Sequence, residues 1–525
     1  LPREATHTYT ADGYTWINHE NISELAIAFG YGYFGAQGLL VLKCLLGLGV
    51  MGAMIASARR RGVALPVTFA LLVLVSFNLS YFWAVRPQLA SFALMAVLVA
   101  LLNRAFLNWY DARPIALRVH WRWLCPIPVV MAIWANSHGG FLAGLAILFA
   151  YLGIRTCEAV WRLRRESLRI VTALVLVSAA SGLATLLNPY GLDLILWIQG
   201  SLGAPRPEIR EWAAPSIEHA FFVPMMLLFV STIASWICSR RHRDPAHIII
   251  LSLCMLQAVM HARHLPFVAI LAGFWLPLHF ESLVARLRGN TISEPMGRVG
   301  RAVVGCGLIA AVGLLVAKLG SRLADFPVEH DEYPIAAIEF MSENHLEGRA
   351  VVAFNWAQYA LCALAPDVQV AFDGRFRTCY PQEVIDMHFD FLLGEAKGKR
   401  FRAADAGPID GHCILDFGNP DLLLLDRRFP HAMKVMAERD DFVLLYQDRR
   451  AQVWGRSAKY DEEQSPSYFA ANRRMIGDED LTGSVTWPAL PGQGSKNSTA
   501  TARKSTAPPS DAQTSLSRTD PEYSS

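Results

Sequence analysis

Residues 123–155 read WLCPIPVVMAIWANSHGGFLAGLAILFAYLGIR. Two apolar runs flank one polar pentapeptide, Asn136-Ser137-His138-Gly139-Gly140. A helix on the surface of a soluble protein keeps a polar face, and neither run has one, so both are expected to sit among apolar surroundings all round. Crossing a bilayer takes about 20 apolar residues, within a range of about 17–25. The first run, 123–136, is short and is expected to be tilted or broken where it enters the pentapeptide.

Outward from this stretch the pattern repeats. Apolar runs lie at 35–57, 64–82, 88–106, 123–136, 139–154, 170–187, 219–238, 246–261 and 264–280, with a tenth at 302–319. Among 525 residues only 18% are charged and 53% are AVILMFWYC, against roughly 25% charged in a typical soluble protein. Mean hydropathy is +0.28 even with a polar tail included. A soluble globule, a disordered chain and a disulfide-stapled secreted domain are excluded. The expected fold is a polytopic α-helical membrane protein of about ten transmembrane helices, followed by a small external α/β domain. Its first partner is the lipid bilayer. No lysine-rich patch with interleaved aromatics occurs, so nucleic acid is not an expected ligand. Nine cysteines form no C-x-x-C pair, and those in or beside apolar runs read as small hydrophobes. The chain opens with Leu1 and shows no signal peptide, so a preceding segment is expected.

Loop charge orients the runs. Alternate loops carry Arg59 to Arg61; Arg104, Arg113, Arg118 and Arg122; Arg155, Arg162, Arg164, Arg165 and Arg169; Arg240, Arg241 and Arg243; and Arg286, Arg288, Arg298 and Arg301. The intervening loops hold Arg86, Arg206, Arg210 and Arg263. Nineteen arginines against four place the first set in the cytoplasm. Residues 1–34 then form an external loop or interfacial segment, 35–320 the transmembrane domain, and everything after 320 lies outside.

Residues 325–456 alternate helix-like stretches, Tyr333 to His345 and Trp356 to Leu364, with short β-rich runs at 349–354, 368–372, 422–426, 442–447 and 451–454. This pattern predicts a small α/β domain. No glycine-rich fingerprint accompanies it, so no nucleotide site is read there. From Ser457 to residue 525 the apolar pattern fades and a disordered tail is expected.

The polar clusters all fall on the external side: Trp16 to Glu20 with Glu24, Arg86-Pro87-Gln88, Asn136 to Gly140, Asn188 to Gly191, Arg210-Glu211-Trp212 and His261 to His264. One external site is the economical explanation. Glu20 and Glu24 are four apart and could share a helix face, as a general base or a divalent-ion partner, or as solvated acids of an interfacial helix. His19, His138, His261 and His264 all map to the outer ends of runs and could bind a metal or a phosphate, shuttle protons, or serve as hydrogen-bonded structural groups. Arg86, Arg210 and Arg263 present planar forks suited to phosphate oxygens, or snorkel and pair with acids such as Glu208 and Glu211. Gln88 and Asn136 complete the expected ligand-binding set, with Asp373 and Arg375 at a strand end, where a tight turn is the plain alternative. No metal ligand is assigned. The cofactor is left open, Mg or Mn being the divalent ions an external acid would hold. The Gly139-Gly140 pair reads equally as cavity lining or tight packing.

In order along the chain, Tyr9-Thr10, Trp16-Ile17-Asn18-His19-Glu20, Arg86-Pro87-Gln88, Trp134 to Gly140, Leu187-Asn188-Pro189-Tyr190-Gly191, Arg210-Glu211-Trp212, Arg263-His264, Phe354-Asn355-Trp356 and Phe372-Asp373-Gly374-Arg375 carry a resemblance. Over roughly residues 7–456 the sequence resembles bacterial integral-membrane proteins related to GT-C-type glycosyltransferases, the superfamily of protein mannosyltransferases and lipid A aminoarabinose transferases. The resemblance implies an enzyme of the bacterial inner membrane that moves a sugar from a polyprenyl-phosphate donor to an extracytoplasmic acceptor. It implies Arg86, Arg210 and Arg263 at the donor phosphate, His138 and His264 assisting, and Glu20 or Glu24 supplying an acid. The group's first span and acidic motif would precede Leu1, and Glu20 and Glu24 match the later part of that loop. The rival reading is a non-enzymatic membrane protein, a transporter or an envelope-assembly factor.

Overall fold

In the computed structural model helix follows helix from Asn21 onward; residues 2–107, 109, 119–202, 205–289, 298–324, 326–396, 398 and 400–492 are described. The chain divides into two units, residues 1–326 with 375–411, and residues 327–374 with 412–525. The first holds α1 (Asn21–Arg60), α2 (Leu65–Ser80), α3 (Gln88–Ala105), α4 (Ile127–Ala135), α5 (Phe141–Leu163), α6 (Leu168–Ala184), α7 (Leu192–Leu202), α8 (Phe222–Cys238), α9 (Pro245–Met260), α10 (Leu265–Trp275), α11 (Pro277–Leu287) and α12 (Arg298–Ala324).

Local chemistry sets these boundaries. Gly35 takes φ 64° and ψ −165° inside α1, a conformation open to glycine, and splits that helix in two. Asp244 caps α9, accepting from the Ala246 amide at 2.9 Å, ahead of Pro245 at the first helical position. Every residue of α10 is buried, which places the most enclosed helix at the centre of the bundle. The outer helices do the reverse and leave Leu48, Phe77, Leu176 and Ile237 more than half exposed. Apolar surface on that scale, spread over several helices, marks a protein whose solvent is lipid.

Each of the ten expected runs lies on helix, yet the count of ten does not follow from the helices themselves. Among the described residues three are long and apolar enough to cross a membrane: Asn21–Arg60, Gln88–Ala105 and Phe141–Ala184. The ninth run is not one straight span. It bends by 73° between α10 and α11, because Pro277 has no N–H to continue the ladder and its ring clashes with the preceding turn. Several other apolar helices, among them α2, α8 and α9, have 16 or 17 residues and stand at or below the lower end of the range of about 17–25 for a span.

The second unit is built on a six-stranded sheet. Its strands are β2 (Gly348–Val352), β3 (Val368–Val370), β4 (Leu422–Asp426), β5 (Phe442–Gln447), β6 (Ala451–Arg456) and β7 (Met475–Ile476), in the order β3-β2-β4-β6-β5-β7. A separate two-stranded ribbon pairs β1 (Pro327–Glu329) with β8 (Ser484–Thr486). The five strand runs expected from sequence are strands, with β2, β3 and β4 parallel and β4, β6 and β5 antiparallel.

Two expectations change here. Residues 457–492 are not a disordered tail: they include strands at 475–476 and 484–486. Arg427 to Asp478 and Arg449 to Asp480 ion pairs fasten this stretch, so polar contacts hold what apolar periodicity does not reveal. Residues 493–525 lie outside the described residues. The segment Arg375–Gly411, expected inside the α/β domain, belongs with the helical unit. It is tied there by polar bonds: Thr378 O accepts from the Ile17 amide at 3.0 Å, Arg377 O from Trp197 Nε1 at 3.3 Å, and Glu208 Oε1 from the Phe401 amide at 2.5 Å.

Candidate active site

The pentapeptide between α4 and α5 anchors the site. Its backbone receives the start of α1: Asn136 O accepts from the Ile22 amide at 2.9 Å, and Ser137 O from Ser23 Oγ at 2.7 Å. Asn136 itself donates to the carbonyls of Ala132 and Leu187, both at 2.8 Å. Its role is to fix this crossing of chain segments.

This crossing brings Glu20 to two imidazoles. Glu20 Oε1 lies 3.6 Å from His138 Nε2 and 3.9 Å from His19 Nε2. The His138 ring is oriented from behind. Its Nδ1 accepts from the Gly140 amide at 3.0 Å, so the proton of the neutral ring resides on Nε2, facing Glu20. Ser91 Oγ, on α3, lies 2.8 Å from the same Nδ1 and accepts from Trp134 Nε1 at 2.8 Å. A directed chain therefore runs from Trp134 through Ser91 to His138, whose Nε2 faces the Glu20 carboxyl. Closeness leaves no room for a side chain at Gly140 and little at Gly139. A Cβ on Gly140 would sit 2.4 Å from Ser91 Oγ, and one on Gly139 3.1 Å from His19 Nε2.

Burial sets the protonation states. The Glu20 carboxyl is pushed up to about 7, by burial first and the neighbouring Glu24 second, with Arg263 opposing. Burial holds His138 well below its usual range and His19 at about 4, so both imidazoles are neutral near pH 7. Glu24 is occupied otherwise: its Oε2 accepts from Asn18 Nδ2 at 2.5 Å, while Asn18 Oδ1 accepts from the Glu20 amide at 3.0 Å. The Asn18 amide in turn donates to Tyr190 Oη at 3.0 Å, which fixes the loop preceding α1.

A cationic element lies within electrostatic reach of the acid. The Arg206 and Arg263 guanidiniums lie over the Trp212 ring, 4.5 and 4.1 Å from its centroid, and Arg263 acts electrostatically on both Glu20 and His138. Arg206 is lowered to about 10, by burial and then by the charges of Arg377 and Arg263. Mutually repelling arginines stacked on one indole form a site that an anion would stabilise. His261 Nδ1 holds the Trp212 carbonyl at 2.7 Å.

No family model matches the sequence, and no curated protein matches it. A solved structure is similar in outline. It is described as the crystal structure of ArnT from Cupriavidus metallidurans bound to undecaprenyl phosphate, and the match covers 84% of this chain and 88% of that one. Identity is 13% and the TM-score 0.44.

The structure thus brings together Glu20, His138, Asn136 and Arg263 of the expected set, with Glu24 one contact removed. Arg86 pairs with Glu211 at 3.0 Å and is 60% exposed. Gln88 donates to the Phe82 carbonyl at 3.2 Å, stabilising the turn into α3. His264 follows Arg263 and lies against the rings of His261 and Phe267. Arg210 starts a short 3-10 turn, and its side chain lies outside the described residues. Arg375 sits over the Trp16 ring, 5.2 Å from its centroid, in the helical unit, whereas Asp373 is fully buried in the α/β unit. Sequence reasoning missed Ser91, Arg206, Trp212 and Arg377 as functional candidates. Of these Arg206 carried a signal as one of the four rare external arginines, and Trp212 as part of the external cluster Arg210-Glu211-Trp212. Mg or Mn would seek several oxygen ligands, yet Glu20 faces two imidazoles and Glu24 is bound to Asn18. Among the described residues no three His, Cys, Asp or Glu side chains converge as a metal site. These residues do not fit a divalent ion, and no step is assigned to one.

Proposed function

We propose that this chain is a membrane glycosyltransferase that moves a sugar from a polyprenyl-phosphate donor to an extracytoplasmic acceptor. One observation carries the reading: a carboxyl poised near neutrality, Glu20, is within electrostatic reach of Arg263, which shares the Trp212 ring with Arg206. Glu20 in its ionised form takes the proton of an acceptor hydroxyl. The freed oxygen bonds to the anomeric carbon as the bond from that carbon to the phosphate oxygen breaks. The polyprenyl phosphate leaves with one more negative charge, which the arginines stabilise. His138 presents Nε2 to the Glu20 carboxylate from 3.6 Å, a neutral polar neighbour that leaves it free to take the proton.

In this reading ten segments cross a bacterial inner membrane, the arginine-poor loops are extracytoplasmic, and the α/β unit is on that side. The motif resemblance over residues 7–456 supports the same donor class. The bend between α10 and α11 is the one observation that favours the rival transporter, since broken helices line transport sites. Binding of polyprenyl phosphate to the purified full chain decides between them. Saturable binding that weakens at least tenfold in Arg263→Ala is expected, with a smaller loss in Arg86→Ala. Equal binding by all three proteins would refute the donor-site assignment.

A further inference from the structure

Between Glu24 and Arg59 the long helix α1 carries a single charge, the ammonium of Lys43. Two independent observations set its depth. Arg59 and Arg60 close α1 on the arginine-rich side, and Lys43 precedes Arg59 by sixteen residues, about 24 Å of helix. Against a hydrocarbon core about 30 Å thick, its Cα lies about 6 Å inside the opposite boundary. The arginine-poor turn between α2 and α3 gives the same level. From that turn Trp83 Nε1 donates to the Lys43 carbonyl at 3.1 Å, and a Cβ on Gly47 would sit 3.4 Å from the same nitrogen. Helical side chains lean toward the N-terminus, so the four-carbon stem of Lys43 lifts its ammonium to the headgroup level.

The charge has no match within the protein. Among the described residues no acidic side chain pairs with Lys43 and no acceptor meets its ammonium. Arg86, in the same turn as Trp83, is already paired with Glu211 at 3.0 Å. Lys43 is half-buried beside the exposed Leu42 and Leu45, and an uncompensated charge among lipid-facing leucines marks a functional position. Rings connect this level to the Glu20 site. Trp83 stacks on Phe92 with centroids 5.7 Å apart, Phe92 meets Phe267 at 6.0 Å, and Phe267 meets His264 at 6.4 Å. His264 adjoins Arg263, and Phe92 follows Ser91, which bonds His138.

We propose that Lys43 receives the phosphate of the lipid-linked donor at the outer boundary of the bilayer, an entry contact separate from the Arg206–Trp212–Arg263 element. This rests on the transferase reading above. A lipid phosphate supplies the anion that the ammonium lacks, while the polyprenyl chain stays in the bilayer alongside Leu42 and Leu45.

The test uses the full chain in phosphatidylcholine nanodiscs containing a polyprenyl phosphate with a photoreactive diazirine in its first isoprene unit, labelled peptides being mapped by mass spectrometry. In the wild type, label is expected on residues 39–47 or 81–85 as well as around Arg263. Lys43→Met should reduce the first set about tenfold, and Lys43→Arg should retain at least about half of it. Leu48→Met, a lipid-facing control, should leave it nearly unchanged, and phosphatidylglycerol in excess should not compete. Arg263→Ala should remove label around residue 263 and spare the label at Lys43. Absence of label on residues 39–47 and 81–85, label there that survives Lys43→Met, an equal loss in Leu48→Met, competition by phosphatidylglycerol, or loss of both sets in Arg263→Ala would each overturn the proposal. Label at Lys43 with none around Arg263 in the wild type would uphold it and refute the donor-site assignment instead.

Discussion

Two buried polar networks in the helical unit invite comparison. At one, Arg155 is only 1% exposed and its two terminal nitrogens are held: they donate to Glu158 Oε2 at 2.8 Å, to Tyr151 Oη at 2.9 Å and to Asp244. Trp109 Nε1 adds a bond to Glu158 at 2.9 Å, and His247 stacks on Trp275 with centroids 4.5 Å apart. At the other, Glu20 meets two neutral imidazoles, keeps 30% of its side chain exposed and stands near cations that it does not contact. A charge that is buried and paired has a structural part. A carboxyl that is only partly shielded and stays unpaired can exchange a proton, and such groups gather at functional sites.

The contrast can be broken most forcefully at Arg155. Arg155→Leu leaves the Asp244 and Glu158 carboxylates buried without their partner, and should cost about 3–5 kcal/mol of stability, read as unfolding in a mixed-micelle denaturant titration. A loss under about 1 kcal/mol would show that this network does not hold the helices together. Glu20→Gln should do the opposite: it should lower transfer by roughly 100- to 10,000-fold and leave the unfolding midpoint nearly unchanged.

Proton linkage sharpens the same comparison. Because folding raises the Glu20 carboxyl from its usual 4.5 to about 7, the stability it contributes is complete below 4.5 and is lost as pH rises through about 7. Transfer, which needs the ionised form, should increase across that same window. Activity and stability therefore move in opposite directions with pH, and Glu20→Gln should flatten this component of both profiles. Parallel profiles would exclude Glu20 as the base.

Smaller effects follow from the supporting residues. Ser91→Ala removes a bond to His138 Nδ1 and the acceptor of Trp134 Nε1, so transfer should fall by up to about tenfold, with the pH midpoint displaced. An unchanged midpoint would mean that Ser91 only packs. Arg86→Ala should be the mildest, within about 1 kcal/mol in stability, because its pair with Glu211 is largely exposed.

What could be read from the sequence divides along physical lines. Apolar length and arginine asymmetry act residue by residue, so the helices and their proposed orientation were visible before any coordinates. The β runs of the second unit, such as Leu422–Asp426, were equally legible from their composition. The site was legible only as one-sided polarity: Glu20, His138 and Arg263 stood out as ionisable groups beside apolar runs. Ser91 did not, since a serine within an apolar helix is commonplace and its partner lies 47 positions away. Arg155 misled in the other direction. Counted with the loop charges, it is in fact buried in α5 and neutralised by Asp244, 89 positions away. Pairings over such separations depend on helix packing, which periodicity does not encode.

The central claim rests on Glu20 as a base beside a lipid-phosphate site. The decisive measurement is single-turnover transfer from a labelled polyprenyl-phosphate sugar by the full chain, wild type against Glu20→Gln, with donor binding measured in the same samples. The account predicts that both proteins bind the donor alike while Glu20→Gln transfers at least 100-fold more slowly. Transfer at the wild-type rate by Glu20→Gln, or none by the wild type, would contradict it.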